Sequence, residues 1–357
     1  MKNKRLEKFK ETLKSMGIDG ALVYNDANRN YLSYFTGNES YAIITYENAL
    51  FITDSRYTEQ AKMQVEDFEV KEYRTDIYSF IKDAVASLRI KKLGFEENYM
   101  TYNMYDKLRS LMPEVEFVPL NRVIEKQRQI KDENEIENIR SAAKIADDAF
   151  LHMLKFIKAG MSEYDVGIEL EFFMRKEGAS ALSFPSIVAS GKRSSLPHGT
   201  ATQKIINAGD FLTLDYGCIY NGYCSDMTRT IVIGKASQKQ KEIYDIVLHA
   251  NEEVLKDVKP GILTSDLDKV ARDIIGDHGY GKNFGHGLGH GVGMEIHELP
   301  RVSKTGNETL RAGMVITDEP GIYLPDFGGG RIEDLVLVTE DGCDVISKSD
   351  KKLIELD

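Results

Sequence analysis

The sequence predicts an α+β protein of two domains, with helices packed on a mixed sheet in the first and helices covering a curved sheet in the second. Two observations predict this. Short apolar runs alternate with helical patterns up to about residue 125, and longer amphipathic helices then alternate with strands. A length of 357 residues also favours two domains over one. We therefore expect an N-terminal domain over residues 1–125 and a C-terminal domain over residues 126–357.

Local patterns place the individual elements. Apolar runs predict strands at 21–24, 41–45, 49–52, 92–95 and 116–118, and helical patterns lie near 3–16, 55–65, 76–89 and 101–111. A charged stretch over 122–138 then runs into a helix, which Asp132 caps with Glu135 three residues later. Further helices are expected from Ser162 to about Gly178, over 237–258 and over 264–276.

Composition excludes several classes of protein. A net charge of −11 argues against a nucleic-acid partner. The sequence has no run of 18 apolar residues, so a membrane span is not expected. The three cysteines lack metal-binding spacing, and such sparse use fits a reducing compartment. The N-terminus has no apolar signal segment. We expect a soluble cytoplasmic protein with no membrane or nucleic-acid partner.

Asp215 and Asp226 lie on a predicted hairpin, DFLTLDYGCIYNGYCSDMTRT, at residues 210–230. Asn221 and Gly222 predict a type I′ turn, which puts Asp226 opposite Gly217 and Asp215 two residues along on the same face. Apolar residues on both strands predict that the hairpin is buried, where an unpaired carboxylate is costly. The two aspartates are therefore predicted to be metal ligands rather than surface acids.

A second motif alternates glycine with histidine, NFGHGLGHGVGMEIHE at residues 283–298. His286 and His290 have the spacing of a metal-binding helix, but glycine at every second position from 285 to 293 favours an extended strand with the histidines on one face. The glycine face would let another backbone or a substrate approach. With His297 seven residues further on, three histidines within twelve residues indicate a functional site.

Two glutamates complete the set of candidate residues. Pro320 biases Glu319 towards extended geometry at the end of a strand. In GGGRIEDLVLVT, residues 328–339, a period of two places Arg331 and Glu333 on one face of a strand. His198 lies in a loop between the second helix and the hairpin.

Four carboxylates and one imidazole are too many for a single Mg²⁺-type ion. They suit two divalent ions that share bridging carboxylates, an arrangement used for hydrolysis. The candidate ligands are Asp215, Asp226, His290, Glu319 and Glu333.

Together these motifs resemble those of the metal-dependent Xaa-Pro peptidases, the prolidase and aminopeptidase P group of the pita-bread (creatinase/methionine aminopeptidase-like) fold. The resemblance is carried by IVASGKRSSLPHGTAT, LTLDYGCIYNGYCSDMTRTIVIG, FGHGLGHGVGMEIHELP, VITDEPGIY and GGGRIEDLVLVT, within residues 187–339. NYLSYFTG and TDSRY resemble the accessory domain more weakly. Asp318 is a departure, because the family usually has an apolar residue there.

The resemblance implies a C-terminal pita-bread catalytic domain, a smaller N-terminal α/β creatinase-like domain and a homodimer. It implies that Asp215 and Asp226 bind metal with Asp226 bridging, that His290 and Glu319 bind on one side, and that Glu333 bridges the pair.

Further roles follow from the same resemblance. It implies that three histidines contact the substrate or the tetrahedral intermediate: His198, His286 and His297. We expect Glu319 to shuttle a proton to the leaving prolyl nitrogen, and His297 or His198 to donate a hydrogen bond to the oxyanion. We also include Arg331 among the expected catalytic residues, because it is a basic group on the same predicted strand face as Glu333.

The expected activity is hydrolysis of the bond between an N-terminal residue and proline. Arg301, four residues after His297, could clamp the carboxylate of a dipeptide, which favours an Xaa-Pro dipeptidase. Xaa-Pro aminopeptidase activity on longer peptides is the alternative. A methionine aminopeptidase is less favoured because of the leading domain, and a non-catalytic binding protein because all five ligands are present. The oxygen-rich ligand set favours two Mn²⁺ ions, with Co²⁺ or Zn²⁺ as alternatives.

Overall fold

The computed structural model describes residues 3–357, which form two compact units, one ending at Arg128 and the other running from Gln129 to Asp357. The helices of the first unit are α1 Lys4–Met16, α2 Asp26–Ser33, α3 Thr58–Gln64, α4 Ile77–Ser87, α5 Tyr102–Leu111 and α6 Val123–Arg128. Its strands are β1 Gly20–Val23, β2 Tyr41–Thr45, β3 Ala49–Thr53, β4 Glu69–Glu72, β5 Lys92–Phe95 and β6 Glu116–Pro119.

These strands form one mixed sheet in the order β4-β3-β2-β1-β5-β6, as the alternating pattern predicts. The pairs β3–β4, β1–β5 and β5–β6 are parallel, and the pairs β1–β2 and β2–β3 are antiparallel. The sequence patterns did not predict α2, β4 or α6. Helix α2 has the polar sequence DANRNYLS, and its start depends on the Asn25 side chain, which accepts a hydrogen bond from the Asn28 backbone N–H.

The helices of the second unit are α7 Glu133–Phe156, α8 Glu163–Lys176, α9 Gln238–Asp257 and α10 Thr264–Asp277. Its strands as far as the last helix are β7 Ala181–Leu182, β8 Ile187–Ser190, β9 Phe211–Tyr216, β10 Cys218–Tyr220, β11 Tyr223–Cys224 and β12 Met227–Ile233. The later strands are β13 Gly289–Gly291, β14 Glu298–Val302, β15 Val315–Asp318, β16 Gly321–Leu324, β17 Gly328–Arg331, β18 Asp334–Val338, β19 Cys343–Val345 and β20 Glu355–Leu356.

Two larger sheets organise the second unit, β20-β12-β9-β8 and β14-β13-β15-β18-β19. Helices α7 and α8 share a buried apolar core with β9 and β12, and α9 and α10 share another with β15 and β18. The predicted capping box of α7 is confirmed, because Asp132 accepts a hydrogen bond from the backbone N–H of Glu135. Ser162 and Asp165 form a second capping box at the start of α8. Within the described residues, no helix is both long and apolar enough to cross a bilayer.

The predicted hairpin is confirmed in detail. Asn221 and Gly222 both have positive φ, 46° and 82°, as a type I′ turn requires. The ladders on either side pair Tyr220 with Tyr223 and Tyr216 with Met227, a register that sets Asp226 opposite Gly217. A Cβ atom on Gly217 would lie 1.9 Å from the carbonyl oxygen of Ser225, so only glycine fits there.

Two local predictions were wrong. The glycine–histidine run forms a strand only over Gly289–Gly291, and a register shift after His290 breaks the alternation. Backbone carbonyls approach Gly289 and Gly291 too closely for any Cβ, so neighbouring strands set this path. Glu333 is not inside a strand with Arg331, because β17 ends at Arg331 and β18 begins at Asp334. The Glu333 backbone N–H instead donates to the Thr228 carbonyl, 3.1 Å away.

Candidate metal centre

Three of the predicted ligands meet at one point in the second unit. The ligand atoms of Asp226, His290 and Glu333 all lie within 4.8 Å of one another. Asp226 precedes β12, His290 lies in β13, and Glu333 lies between β17 and β18, so both large sheets contribute. Both carboxylates are buried. Two carboxylates and one imidazole are ligands that divalent cations prefer.

His290 is oriented as a metal ligand requires. Its Nδ1 lies 3.0 Å from the carbonyl oxygen of Gly291, which can only accept, so Nδ1 carries the hydrogen. The lone pair of Nε2 therefore faces Asp226 Oδ2 at 3.6 Å and Glu319 Oε1 at 3.5 Å. Burial, and the neighbouring His297, lower the pKa of His290 to about 4, so the ring is neutral at pH 7.

Glu319 extends the cluster from the end of β15. Its backbone N–H donates to the Leu288 carbonyl, and its Oε1 accepts from Thr317 Oγ1 at 3.1 Å. Burial raises its pKa to about 8, against the lowering effect of Arg331.

Ionisation of the other carboxyl groups of the centre is unfavourable because they are buried close to one another. The pKa of Asp226 is raised well above its usual value by burial and then by Glu333, Asp215 and Glu319. Burial and the charges of Glu319 and Asp215 likewise raise the pKa of Glu333. Bound cations would supply the missing positive charge, so the residues fit a divalent-metal centre.

Arg331 links Asp215 to this cluster. Its Nη2 donates to Asp215 Oδ2 at 2.5 Å and its Nε to Thr228 Oγ1 at 2.9 Å. The Thr228 hydroxyl then donates to Glu333 Oε2 at 2.6 Å. One guanidinium thus fixes Asp215 directly and Glu333 through a threonine. With its donors used in this way, and Nη1 donating to the Tyr323 hydroxyl, Arg331 is a fixed part of the centre.

His286 is held beside the cluster by Tyr323. Its Nδ1 lies 2.7 Å from the carbonyl oxygen of Gly287 and its Nε2 lies 2.9 Å from the Tyr323 hydroxyl. Because Arg331 donates to this hydroxyl, the hydroxyl hydrogen points to His286 Nε2. Burial and the charge of Arg331 lower the pKa of His286 to about 4, so the imidazole is neutral.

The remaining predicted residues lie at the exposed side of the centre. The His297 ring centroid lies 4.3 Å from that of His290, and burial together with the charge of His198 lowers the pKa of His297. His198 also acts electrostatically on Asp215. Arg301 is exposed on β14, directly opposite His290 in the ladder. Of these three residues, His297 is the one whose ring packs against a candidate ligand.

Sequence reasoning missed Thr228 and Tyr323. Thr228 follows Asp226 by two positions, so the period of two along a strand would have placed both side chains on one face. Tyr323 follows the EPG motif by two residues, but its partners His286 and Arg331 come from other segments. No local pattern predicts those contacts.

Comparisons with known proteins agree with this geometry. Residues 137–340 match the family model for metallopeptidase family M24, and residues 5–130 match that for the creatinase/prolidase N-terminal domain. An uncharacterized peptidase of Bacillus subtilis is 48% identical, covering 99% of this chain and 100% of its own.

Solved structures are similar over nearly the whole chain. An Xaa-Pro dipeptidase from Bacillus anthracis has a TM-score of 0.96 at 46% identity, covering 99% of each chain. An X-Pro aminopeptidase from Thermotoga maritima has a TM-score of 0.92 at 40% identity, covering 98% of this chain and 99% of its own. These likenesses confirm the predicted pita-bread fold with a creatinase-like N-terminal domain.

Proposed function

Because the chain belongs to metallopeptidase family M24, we propose that it is an Xaa-Pro dipeptidase that uses two divalent metal ions. The observation that carries this proposal is the convergence of Asp226, His290 and Glu333 within 4.8 Å, with Glu319 beside them. The Bacillus anthracis protein of similar structure, described as an Xaa-Pro dipeptidase, supports the choice of substrate.

Five residues would hold the two ions, with Asp226 and Glu333 shared between them. The set contains four carboxylates and one imidazole, and hard oxygen ligands of this kind favour Mn²⁺, with Co²⁺ or Zn²⁺ as alternatives. When bound, such ions polarise a carbonyl and make water acidic enough to supply hydroxide near neutral pH. The five ligands are Asp215, Asp226, His290, Glu319 and Glu333.

The side chains around the ligands would handle the substrate. Glu319 Oε1 lies 3.5 Å from His290 Nε2, so its carboxyl group is placed among the proposed ligands to carry a proton to the leaving prolyl nitrogen. His297, beside His290, and His198 could donate hydrogen bonds to the oxyanion. His286, fixed by Tyr323 and carrying no charge, would contact the substrate as a neutral group.

Arg301 is the proposed clamp for the carboxylate of a dipeptide. It is exposed and opposite His290, whereas the donors of Arg331 are already used by Asp215, Thr228 and Tyr323. An exposed guanidinium can bind a carboxylate through two parallel hydrogen bonds. Arg301 is therefore the better candidate of the two arginines.

Xaa-Pro aminopeptidase activity is the second candidate, and the Thermotoga maritima structure described as an X-Pro aminopeptidase favours it. The deciding experiment compares kcat/KM for Ala-Pro with that for Ala-Pro-Ala at saturating Mn²⁺. A dipeptidase prefers Ala-Pro, and Arg301→Ala should raise KM for Ala-Pro far more than for the tripeptide. A strong preference of the wild type for Ala-Pro-Ala would replace the dipeptidase assignment by the aminopeptidase one.

We also propose a homodimer in the cytoplasm. The family resemblance supports the dimer, and the three free cysteines, Cys218, Cys224 and Cys343, are compatible with a reducing compartment. Size-exclusion chromatography with light scattering should give twice the mass of the chain. A mass equal to one chain would contradict the dimer without affecting the proposed chemistry.

A further inference from the structure

We propose that Lys351 and Asn251 are positioning residues for the metal centre, acting through a buried pair of aspartates, Asp318 and Asp334. The inference rests on the proposed function, because it assigns these residues a role towards the bound ions. The observation behind it is a group of buried charged residues next to two of the proposed ligands, Glu319 and Glu333.

Asp318 and Asp334 face each other across a strand pair. Asp318 ends β15, Asp334 begins β18, and the two are register partners in the antiparallel ladder. Both side chains are fully buried. Glu319 follows the first and Glu333 precedes the second, so a shift of this pair would move the backbone of both proposed ligands.

A relay of hydrogen bonds connects the two aspartates to Lys351. The ammonium Nζ lies 2.9 Å from Asp334 Oδ2 and 2.7 Å from Asn251 Oδ1. Asn251 Nδ2, from α9, donates to Asp318 Oδ2 at 2.9 Å. Asn251 is completely buried, and the ammonium on one side and the carboxylate on the other fix the orientation of its amide. Asp318 is thus stabilised through Asn251 by the lysine.

Arg229 neutralises the opposite side of the pair. Its Nη2 donates to Asp334 Oδ1 at 2.7 Å, and its Nη1 donates to the backbone oxygen of Glu333 at 2.6 Å. Both bases therefore contact Asp334, whereas Asp318 reaches the lysine only through Asn251, and the formal charges of the two acids and two bases balance. Asp318 Oδ1 has no hydrogen-bond partner among the described residues, so Asp318 is the member that depends most on the relay.

Lys351 belongs to a C-terminal segment that lies outside any helix or strand. The segment is fixed at two points, because Tyr244 donates to the carbonyl of Lys351 at 2.8 Å and Arg229 donates to that of Ser349 at 2.9 Å. These two hydrogen bonds hold the backbone of the segment in place, so the Lys351 ammonium is positioned beside Asp334. Without that ammonium, two buried carboxylates would oppose each other at the end of the ladder, with Arg229 on Asp334 as the remaining base in contact with the pair. Like charges opposite each other weaken a strand pair, and an uncompensated buried charge is costly.

The test is the Mn²⁺ affinity of metal-free protein, measured by isothermal titration calorimetry. Lys351→Met should weaken binding by about 10- to 100-fold, the range known for residues that orient metal ligands. The matched control is Lys352→Met, which removes the adjacent, exposed lysine and should leave the affinity unchanged. If Lys351→Met does not fold, Lys351→Gln keeps a donor and removes the charge, with the same expected loss.

A second variant separates positioning from simple loss of packing. Lys351→Met combined with Asp318→Asn removes one positive and one negative charge, and should recover most of the lost Mn²⁺ affinity. Wild-type affinity in Lys351→Met, or a double variant as weak as the single one, would overturn the proposal. Failure of the wild-type protein to bind Mn²⁺ would overturn the proposed function itself, so the two failures are distinguishable.

Discussion

At the scale of single residues, the centre consists of acids that burial makes costly to ionise. Asp226, Glu319 and Glu333 all have raised pKa values, and burial is the largest cause for each. Arg331 donates a hydrogen bond to Asp215 on one side of the group. The protein therefore holds together acids whose ionisation becomes favourable when divalent cations are bound.

Of the proposed ligands, Asp226 is the one whose replacement should lower activity most. Asp226→Ala should lower kcat/KM for Ala-Pro by about a thousandfold or more, since a metal ion supplies several kcal/mol of transition-state stabilisation. The fold should persist, because the change removes a buried repulsive charge rather than a packed apolar group. Steady-state kinetics and circular dichroism measure the two effects.

The matched control for that variant is Asp273→Ala on α10, an exposed carboxylate paired with Lys269. It should retain wild-type kinetics. Wild-type turnover in Asp226→Ala itself would remove Asp226 from the proposed ligand set.

Residues that act through distant partners could not be predicted from the sequence. Thr228 and Glu333 are hydrogen-bonded although 105 positions apart, and Lys351 and Asn251 although 100 positions apart. Asp215 and Asp226 could be placed because a local turn fixes their register. Asp318 was noticeable as a departure from the family pattern, but its partner Asn251 comes from α9 and is held in turn by Lys351 of the C-terminal segment.

At the scale of elements, a turn set by its own residues could be predicted, whereas the path of a strand that neighbouring segments determine could not. The Asn221-Gly222 hairpin follows from two residues that tolerate positive φ. The path of the glycine–histidine run depends instead on the carbonyls of Thr317 and Leu299, which lie against Gly289 and Gly291. Those carbonyls belong to other segments, so alternation alone predicted a longer strand than exists.

Gly217 should be indispensable to the hairpin that carries Asp215 and Asp226. Gly217→Ala would place a Cβ 1.9 Å from the Ser225 carbonyl oxygen, so the strands must separate. We expect a loss of about 3 kcal/mol or more in the free energy of unfolding, at the upper end of overpacking costs. Urea denaturation of the metal-free protein measures it.

Gly276→Ala, near the end of α10, is the control for that substitution. Nothing lies within 4 Å of its added Cβ, and alanine is the better helix former, so it should stabilise by about 0.5–1 kcal/mol. Equal effects of the two substitutions would contradict the role given to Gly217.

In the first unit, one buried acid joins β5 to the start of α2. Glu96 follows β5 and accepts hydrogen bonds from the backbone N–H of Tyr24 and Asn25, at 2.7 and 2.9 Å, and from Asn28 Nδ2 at 2.8 Å. Burial, and to a lesser extent the charge of Glu125, raise the pKa of Glu96 to about 7 despite these hydrogen bonds. The folded state therefore binds this proton more tightly than the unfolded state does.

Stability should consequently fall as pH rises from about 4.5 to about 7, because the folded state must lose a proton it holds tightly. The full effect would be about 3.5 kcal/mol at most, from roughly 1.4 kcal/mol per pKa unit. Glu96→Gln should flatten this part of the profile, measured as the free energy of unfolding from urea titrations between pH 4.5 and 8. An identical slope in wild type and variant would show that Glu96 is not the titrating group.

At the scale of the whole molecule, the chain has two compact units. The first has its own sheet and apolar core, and the second contains every proposed ligand. The α+β class was predictable because amphipathic periodicity is local in sequence, and the pita-bread fold was implied by the family resemblance. The centre itself joins segments from Asp215 to Glu333, and only the family resemblance indicated in advance how they meet.

Metal binding should stabilise the second unit selectively. A ligand at a thousand times its Kd adds about 4 kcal/mol to the stability of whatever binds it. Differential scanning calorimetry should therefore show a transition that moves to higher temperature with Mn²⁺ and returns after chelation. Asp226→Ala should lose this shift, and an Mn²⁺ shift of the same size in that variant would argue against the assigned centre.

The central claim is that acids far apart in sequence meet to hold two divalent ions. The most direct measurement is the stoichiometry of Mn²⁺ bound to metal-free protein, by calorimetric titration. The account predicts two ions per chain in the wild type and fewer in Asp226→Ala. Absence of binding, or binding that Asp226→Ala leaves unchanged, would contradict it.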